Sequence, residues 1–170
     1  MMKARWGILI GLALLIGAGT AKLLLTSASV NPGASEWPPN LKKASADAKA
    51  AHKYLLLDFS GSDWCGWCKR LDKEVFSTAE FKDYASSNFV LVVIDFPRGI
   101  PQSDELKAQN QKLSDQYRVE GFPTVILLTP EGEFVGKTGY QQGGPEAYVE
   151  HLKGMIEEYS AKSKNKAQTP

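Results

Sequence analysis

The sequence predicts an α/β fold, a three-layer α/β/α sandwich around a mixed central sheet, and three observations carry that prediction. Two short apolar runs, Tyr54–Phe59 and Phe89–Ile94, are separated by helix-forming residues, the layout of parallel strands joined by a crossover. Thr124–Thr129 and Glu133–Thr138 flank a Pro130-Glu131-Gly132 turn, too short for a crossover, so they pair as an antiparallel hairpin. A closing helix opens at Gly144-Pro145 and places Val149, Leu152, Ile156 and Tyr159 on one face, suited to covering a sheet.

Taken in order, the chain of 170 residues opens with Lys3 and Arg5 and continues in an apolar stretch from Trp6 through Leu25, interrupted by Lys22. A basic start before an apolar core is the layout of an export signal. Small residues at Gly19-Thr20-Ala21 and Thr26-Ser27-Ala28 offer cleavage sites, with no cysteine nearby for lipid attachment. Uncleaved, the stretch is long enough, at about 20 residues, to cross a bilayer with its basic end on the cytoplasmic side. Residues 1–28 are therefore expected to be a signal peptide or membrane anchor, and the protein to be exported, periplasmic or otherwise extracytoplasmic. Residues 29–36 read as a linker, 37–160 as the folded domain, and 161–170, polar and rich in Lys, as a disordered tail.

Within the domain, Leu41 to Lys53 is rich in Ala and Lys with no breaker and reads as a helix with a thin apolar face. Tyr54–Phe59 reads as a buried strand, and Lys69 to Phe76 as a helix with Leu71, Val75 and Phe76 toward the core. Ser77-Thr78-Ala79-Glu80 has the form of a capping box opening a second short helix through Tyr84, with Thr78 or Ser77 as cap. Phe89–Ile94 reads as an interior strand. After a Pro/Gly loop at Phe96–Pro101, Ser103-Asp104-Glu105 caps a helix to about Tyr117. A hydrophobic content of 43% is enough for a packed core, and a formal net charge of +1 gives no reason to expect nucleic acid.

The two cysteines, Cys65 and Cys68, follow the first strand and begin the next helix. Free backbone N–H groups and the macrodipole at a helix start favour an anion, so Cys65 is the expected nucleophile. Cys68, on the same helix face, is placed to attack the mixed disulfide that Cys65 forms and release the product. Other uses of the pair fit less well. Zinc would need two further ligands, and His52 and His151 stand far off in other helices, so no metal is expected. Haem attachment would need His after Cys68, where Lys69 stands. A disulfide closing so small a loop adds little stability through chain entropy. Lys69 and Arg70 bring positive charge within a turn and Asp63 opposes it. Asp58 lies in an apolar strand: it is either a buried acid of raised pKa, able to take and return a proton, or an acid at a strand edge facing water.

The segment Asp58-Phe59-Ser60-Gly61-Ser62-Asp63-Trp64-Cys65-Gly66-Trp67-Cys68-Lys69, with Gly121-Phe122-Pro123-Thr124 far downstream, resembles the active-site segments of the thioredoxin-like superfamily, specifically its exported thiol–disulfide oxidoreductases. The resemblance covers about Trp37 to Tyr159. It implies that Pro123 is cis and stands against the cysteines, so that the backbone of Phe122 beside Thr124 is open to a substrate peptide. Gly139 matches a glycine lining the same groove, while Trp64 and Trp67, around Gly66, would surround an exposed sulfur with apolar surface. Three departures stand out. The residues between the cysteines are Gly66-Trp67, the acid lies seven residues before Cys65 where thioredoxins have six, and the 97–101 loop is longer than in compact thioredoxins.

The expected function is that of an exported oxidoreductase reducing or isomerising protein disulfides, with protein or peptide thiols and disulfides as partners and a membrane electron donor. Its cofactor requirement is none beyond the Cys65–Cys68 disulfide. Two alternatives are a polypeptide-binding module whose cysteines are incidental, and an assembly factor that reduces the cysteines of an exported cytochrome before cofactor attachment.

Overall fold

A computed structural model of the protein describes residues 40–167. The expected signal or anchor, the linker and the last three residues lie outside them. Among the described residues no helix is long and apolar enough to cross a membrane.

Asn40 caps the first helix, α1 (Leu41–Ala51), its side chain accepting the Lys43 N–H at 3.0 Å, and His52 ends it in the left-handed conformation. The thin apolar face is Ala44 and Ala48, both buried. β1 (Tyr54–Ser60) follows, then α2 (Gly66–Leu71), which widens into a π-helical turn over Asp72–Phe76 closed by the Ser77 N–H to the Asp72 carbonyl. α3 spans Ala79–Asn88, β2 Phe89–Asp95, α4 Asp104–Gln116, β3 Thr124–Leu128, β4 Phe134–Thr138 and α5 Gly144–Ala167.

The sheet order is β2-β1-β3-β4. β1 and β2 are parallel, β1 and β3 antiparallel, and β3 and β4 form the hairpin, so the sheet is mixed. Alternation along β1 sorts the two cores. Leu56 faces Leu71, Val75, Phe81 and Tyr148 of α2, the π turn, α3 and α5. Leu55, Leu57 and Phe59 face Ala44, Ala48 and Leu113 of α1 and α4. Helices on both faces of one sheet complete the three layers.

Three expectations are corrected. β2 is an edge strand, not an interior one: its apolar side chains are buried or half-buried, while strand pairing is decided by the backbone edge, which a run of Val and Ile does not reveal. α3 runs four residues past Tyr84 to Asn88; of its two expected caps Thr78 is the one used, accepting from the Phe81 N–H at 3.3 Å. With Thr78 as cap, position N3 is Phe81, so Glu80 cannot close a capping box. Finally, residues 161–167 are the last turns of α5, not a disordered tail. Glu158 and Lys162 pair there at 2.6 Å, and Lys164 and Lys166 sit at the negative end of the helix.

The first core is held by an aromatic cluster in which Phe76 lies 5.0 Å from Phe81 and 5.6 Å from Tyr148, ring centre to ring centre. Phe81 is fully buried. Phe81→Ala is expected to destabilise the domain by about 3–5 kcal/mol, seen as a lower urea midpoint at unchanged slope. A loss under about 1 kcal/mol would contradict this packing.

Candidate active site

The site hangs from the carboxyl ends of β1 and β2, where two loops hold each other. Beyond Ser60, the carbonyl of Gly61 accepts the N–H groups of Trp64 at 3.2 Å and Cys65 at 2.8 Å, turning the chain back. The Asp95 carboxylate at the end of β2 accepts the Ser62 N–H at 2.8 Å and hydroxyl at 2.6 Å. Asp63 answers from the other loop, its carboxylate accepting the N–H groups of Arg98 at 3.0 Å and Gly99 at 2.5 Å. Those bonds, Gly99 first and then Arg98, hold the Asp63 carboxyl below its ordinary pKa. The Trp64 indole N–H donates to the Phe96 carbonyl at 2.8 Å, and the Phe96 N–H to the Ser60 carbonyl at 2.8 Å. A Cβ on Gly61 would collide with the Trp64 indole, so this close approach requires glycine.

The turn delivers Cys65 as the N-cap of α2. Its sulfur accepts the Cys68 N–H at 3.2 Å, and the two sulfurs are joined in a disulfide with Cα atoms 5.3 Å apart. Both residues are buried, Cys65 at 6% exposure, so the sulfur expected to be exposed is recessed among its neighbours in this oxidised form. Gly66 is exposed with open space where a Cβ would stand. The Lys69 ammonium donates to the Asp63 carbonyl at 2.8 Å, tying α2 back to the turn.

Asp58 is buried in the sheet rather than at an edge facing water. β1 lies between β2 and β3, and Asp58 shares the face of Leu56, the side covered by α2 and α5. One of its carboxylate oxygens has no hydrogen-bond partner. Burial first, then the charges of Asp72 and Asp95, push its pKa from 3.8 up to about 7. The neighbouring Tyr148 hydroxyl is pushed up by the same burial and donates to the Gly139 carbonyl at 3.2 Å.

The second motif comes alongside. The Phe122–Pro123 peptide is cis, the Thr124 hydroxyl donates to the Gly121 carbonyl at 2.7 Å, and a Cβ on Gly139 would stand 2.9 Å from the Pro123 carbonyl oxygen. Glycine is thus what lets the chain leaving β4 pass Pro123. Phe122 meets the Trp64 ring edge-on at 5.7 Å, which joins this loop to the cysteine turn.

The two tryptophans occupy opposite flanks. Trp67 is 54% exposed and lies against Tyr140 at 5.2 Å, with the Arg70 guanidinium 5.3 Å from its ring centre. Arg70 is bonded to Glu74 at 2.8 Å, and Glu74 also accepts the Tyr140 hydroxyl. Trp64, 36% exposed, carries the Arg98 guanidinium 4.0 Å above its ring. Sequence reasoning missed Asp95, Arg98, Tyr140 and Tyr148, which lie far along the chain from the cysteines and have no motif; a carboxylate closing a β-branched strand was the one available cue to Asp95. His52 and His151 are not part of the site: His52 ends α1, and His151 bonds Thr138 at 2.9 Å. Among the described residues no cluster of His, Cys, Asp or Glu could hold a metal.

A family model described as a thioredoxin-like domain matches residues 41–155. The chain is 37% identical over 109 residues to the disulfide bond reductase DsbH of Chlamydia pneumoniae, covering 64% of this chain and 66% of that protein. It is 32% identical over 120 residues to the thioredoxin-related protein DsbJ of the same organism, covering 66% of this chain and 34% of that protein. A solved structure of a DsbH oxidoreductase superimposes with a TM-score of 0.68 at 32% identity, covering 78% of this chain and 92% of the other.

The raised pKa of Asp58 has a measurable consequence. The unfolded chain releases this proton near 3.8 and the folded chain near 7, so between them the folded state binds more protons and stability falls as pH rises. Asp58→Asn removes that loss. Its advantage over the unaltered protein is expected to be small at pH 4 and to grow to about 4 kcal/mol by pH 8, read by urea unfolding of the oxidised proteins. An advantage equal at both pH values would contradict the assignment.

Proposed function

The chain belongs to the thioredoxin-like family of thiol–disulfide oxidoreductases, and on that premise we propose that it is an exported reductase of protein disulfides, with Cys65 attacking and Cys68 resolving. One observation carries the assignment of roles: the Cys65 sulfur is the helix cap, receiving the Cys68 N–H at 3.2 Å. In the reduced protein the same donor favours a thiolate at Cys65.

The thiolate attacks one sulfur of a substrate disulfide. A Cys65–substrate bond forms, the substrate S–S bond breaks, and the departing substrate thiolate takes a proton. Cys68 then loses its proton and attacks the Cys65 sulfur, forming the Cys65–Cys68 disulfide and releasing the second substrate thiol. Two electrons pass from the protein to the substrate. Asp58, beneath α2 with a pKa near neutrality, is the proposed acceptor of the Cys68 proton. Lys69 supports the pair by holding α2 to the turn. The substrate chain is proposed to lie along the Phe122 backbone, between Pro123, Thr124 and Gly139 on one side and Trp64, Gly66 and Trp67 on the other.

Reduction is favoured over oxidation because Trp67, between the cysteines, supplies no positive charge to stabilise the thiolate form. A reductant outside the cytoplasm needs its own electron supply, so a membrane dithiol donor is the proposed partner. Export itself rests on the basic and apolar N-terminal segment.

Cys68→Ser, reduced and mixed with a disulfide-bonded model protein, is expected to accumulate a covalent adduct that dithiothreitol dissolves, whereas Cys65→Ser forms none. Equal adducts from both variants, or unchanged substrate reduction by Cys65→Ser, would refute these roles.

A further inference from the structure

The two flanks of the disulfide carry the same device, a guanidinium resting on an exposed indole, but in different electrostatic states. On the Trp67 flank Arg70 is paired with Glu74, which also receives the Tyr140 hydroxyl. On the Trp64 flank the Arg98 guanidinium, exposed and 4.0 Å above the ring, has no ion-pair partner among the described residues. The carboxylate nearest along this loop contact, that of Asp63, is engaged by the backbone N–H groups of Arg98 and Gly99. Lys69, close enough to lower the Asp63 pKa, is bonded to a carbonyl and so keeps its charge. The cleft of about 460 Å³ that continues from Arg98 along the loop is lined by Arg98 and by Lys107, which is paired with Asp104 at 3.3 Å, and by no carboxylate, so Arg98 is its unpaired cation among the described residues.

We propose that Arg98, held on Trp64, receives an acidic side chain of the substrate protein beside the cysteine under attack, and so sets a preference for disulfides with acidic flanks. The proposal rests on the reductase reading above. Stacking on the indole fixes the guanidinium without using its N–H fork, leaving the fork for a carboxylate. Its position follows from the clasp of the two loops: Asp63 binds the very backbone that carries Arg98, so the reader of charge is fixed relative to Cys65, two residues along from Asp63. Arg70, already neutralised, confers no such preference on the opposite flank.

The test uses the full chain, with dithiothreitol as the dithiol reductant, and three disulfide peptides that differ in one residue beside the cysteine, Glu, Gln or Lys. The unaltered protein is expected to favour the Glu peptide over the Gln peptide by about fivefold in kcat/KM, the size of an exposed ion pair, with the Lys peptide slowest. In Arg98→Gln the ratio falls to about one. In Arg98→Glu the order inverts and the Lys peptide becomes the best substrate, an outcome that loss of folding cannot produce. A ratio near one in the unaltered protein, or a Glu preference surviving in Arg98→Glu, would overturn the proposal. If the unaltered protein reduces none of the peptides, the reductase reading itself falls, and this proposal with it.

Discussion

The cysteine pair depends on a reciprocal clasp between the loops that leave β1 and β2. Asp95, from β2, accepts the backbone and hydroxyl of Ser62 in the first loop, and Asp63, from the first loop, accepts two backbone N–H groups in the second. Asp95 satisfies part-buried donors of Ser62, Asp63 binds two exposed N–H groups of the second loop, and bonds to an ionised acceptor are about twice as strong as neutral ones. With the turn fixed in this way, Cys65 arrives at the start of α2 with its sulfur in the capping position. In this turn Gly61 lets the Trp64 indole fold close.

The clasp also explains how one short stretch serves two layers of the site. Below it, Asp58 is buried between strands on the α2 side, where desolvation raises its pKa into the range useful for proton exchange. Above it, Trp64 bridges the cysteine turn to Phe122 through an edge-on contact and to the β2 loop through its indole N–H. The cis Phe122–Pro123 peptide and the close pass of Gly139 complete the wall. The proposed groove is thus assembled from three loops that meet at the end of one sheet, the usual place for a site in an α/β fold.

Much of this was legible in the sequence, because it was written locally. The strands, the hairpin turn, the Ser103 cap of α4 and the two motifs each depend on neighbouring residues, and the structure has them where the pattern placed them. What was not legible depends on distant partners. Phe89–Ile94 reads as an interior strand, but Val90, Leu91 and Val93 are only half-buried, and its place at the edge is a matter of backbone pairing. Asp58 could be read as buried or wet until its strand was seen to lie inside the sheet. Asp95 and Arg98 lie more than thirty residues from the turn they touch, and nothing in their own surroundings marks them. The Lys-rich end of α5 was misread because polar composition alone does not distinguish a disordered tail from a solvated helix held by pairs such as Glu158–Lys162.

The central claim is that this buried disulfide is an exchanging, electron-donating pair. The most direct measurement is the reduction potential of Cys65–Cys68 in the intact chain, equilibrated in defined thiol buffers. The account predicts a value near about −270 mV, in the range of thioredoxin. A value near about −120 mV would mean a disulfide donor and contradict the direction of electron flow. A pair that stays oxidised below about −300 mV without exchanging would contradict the claim of redox function altogether.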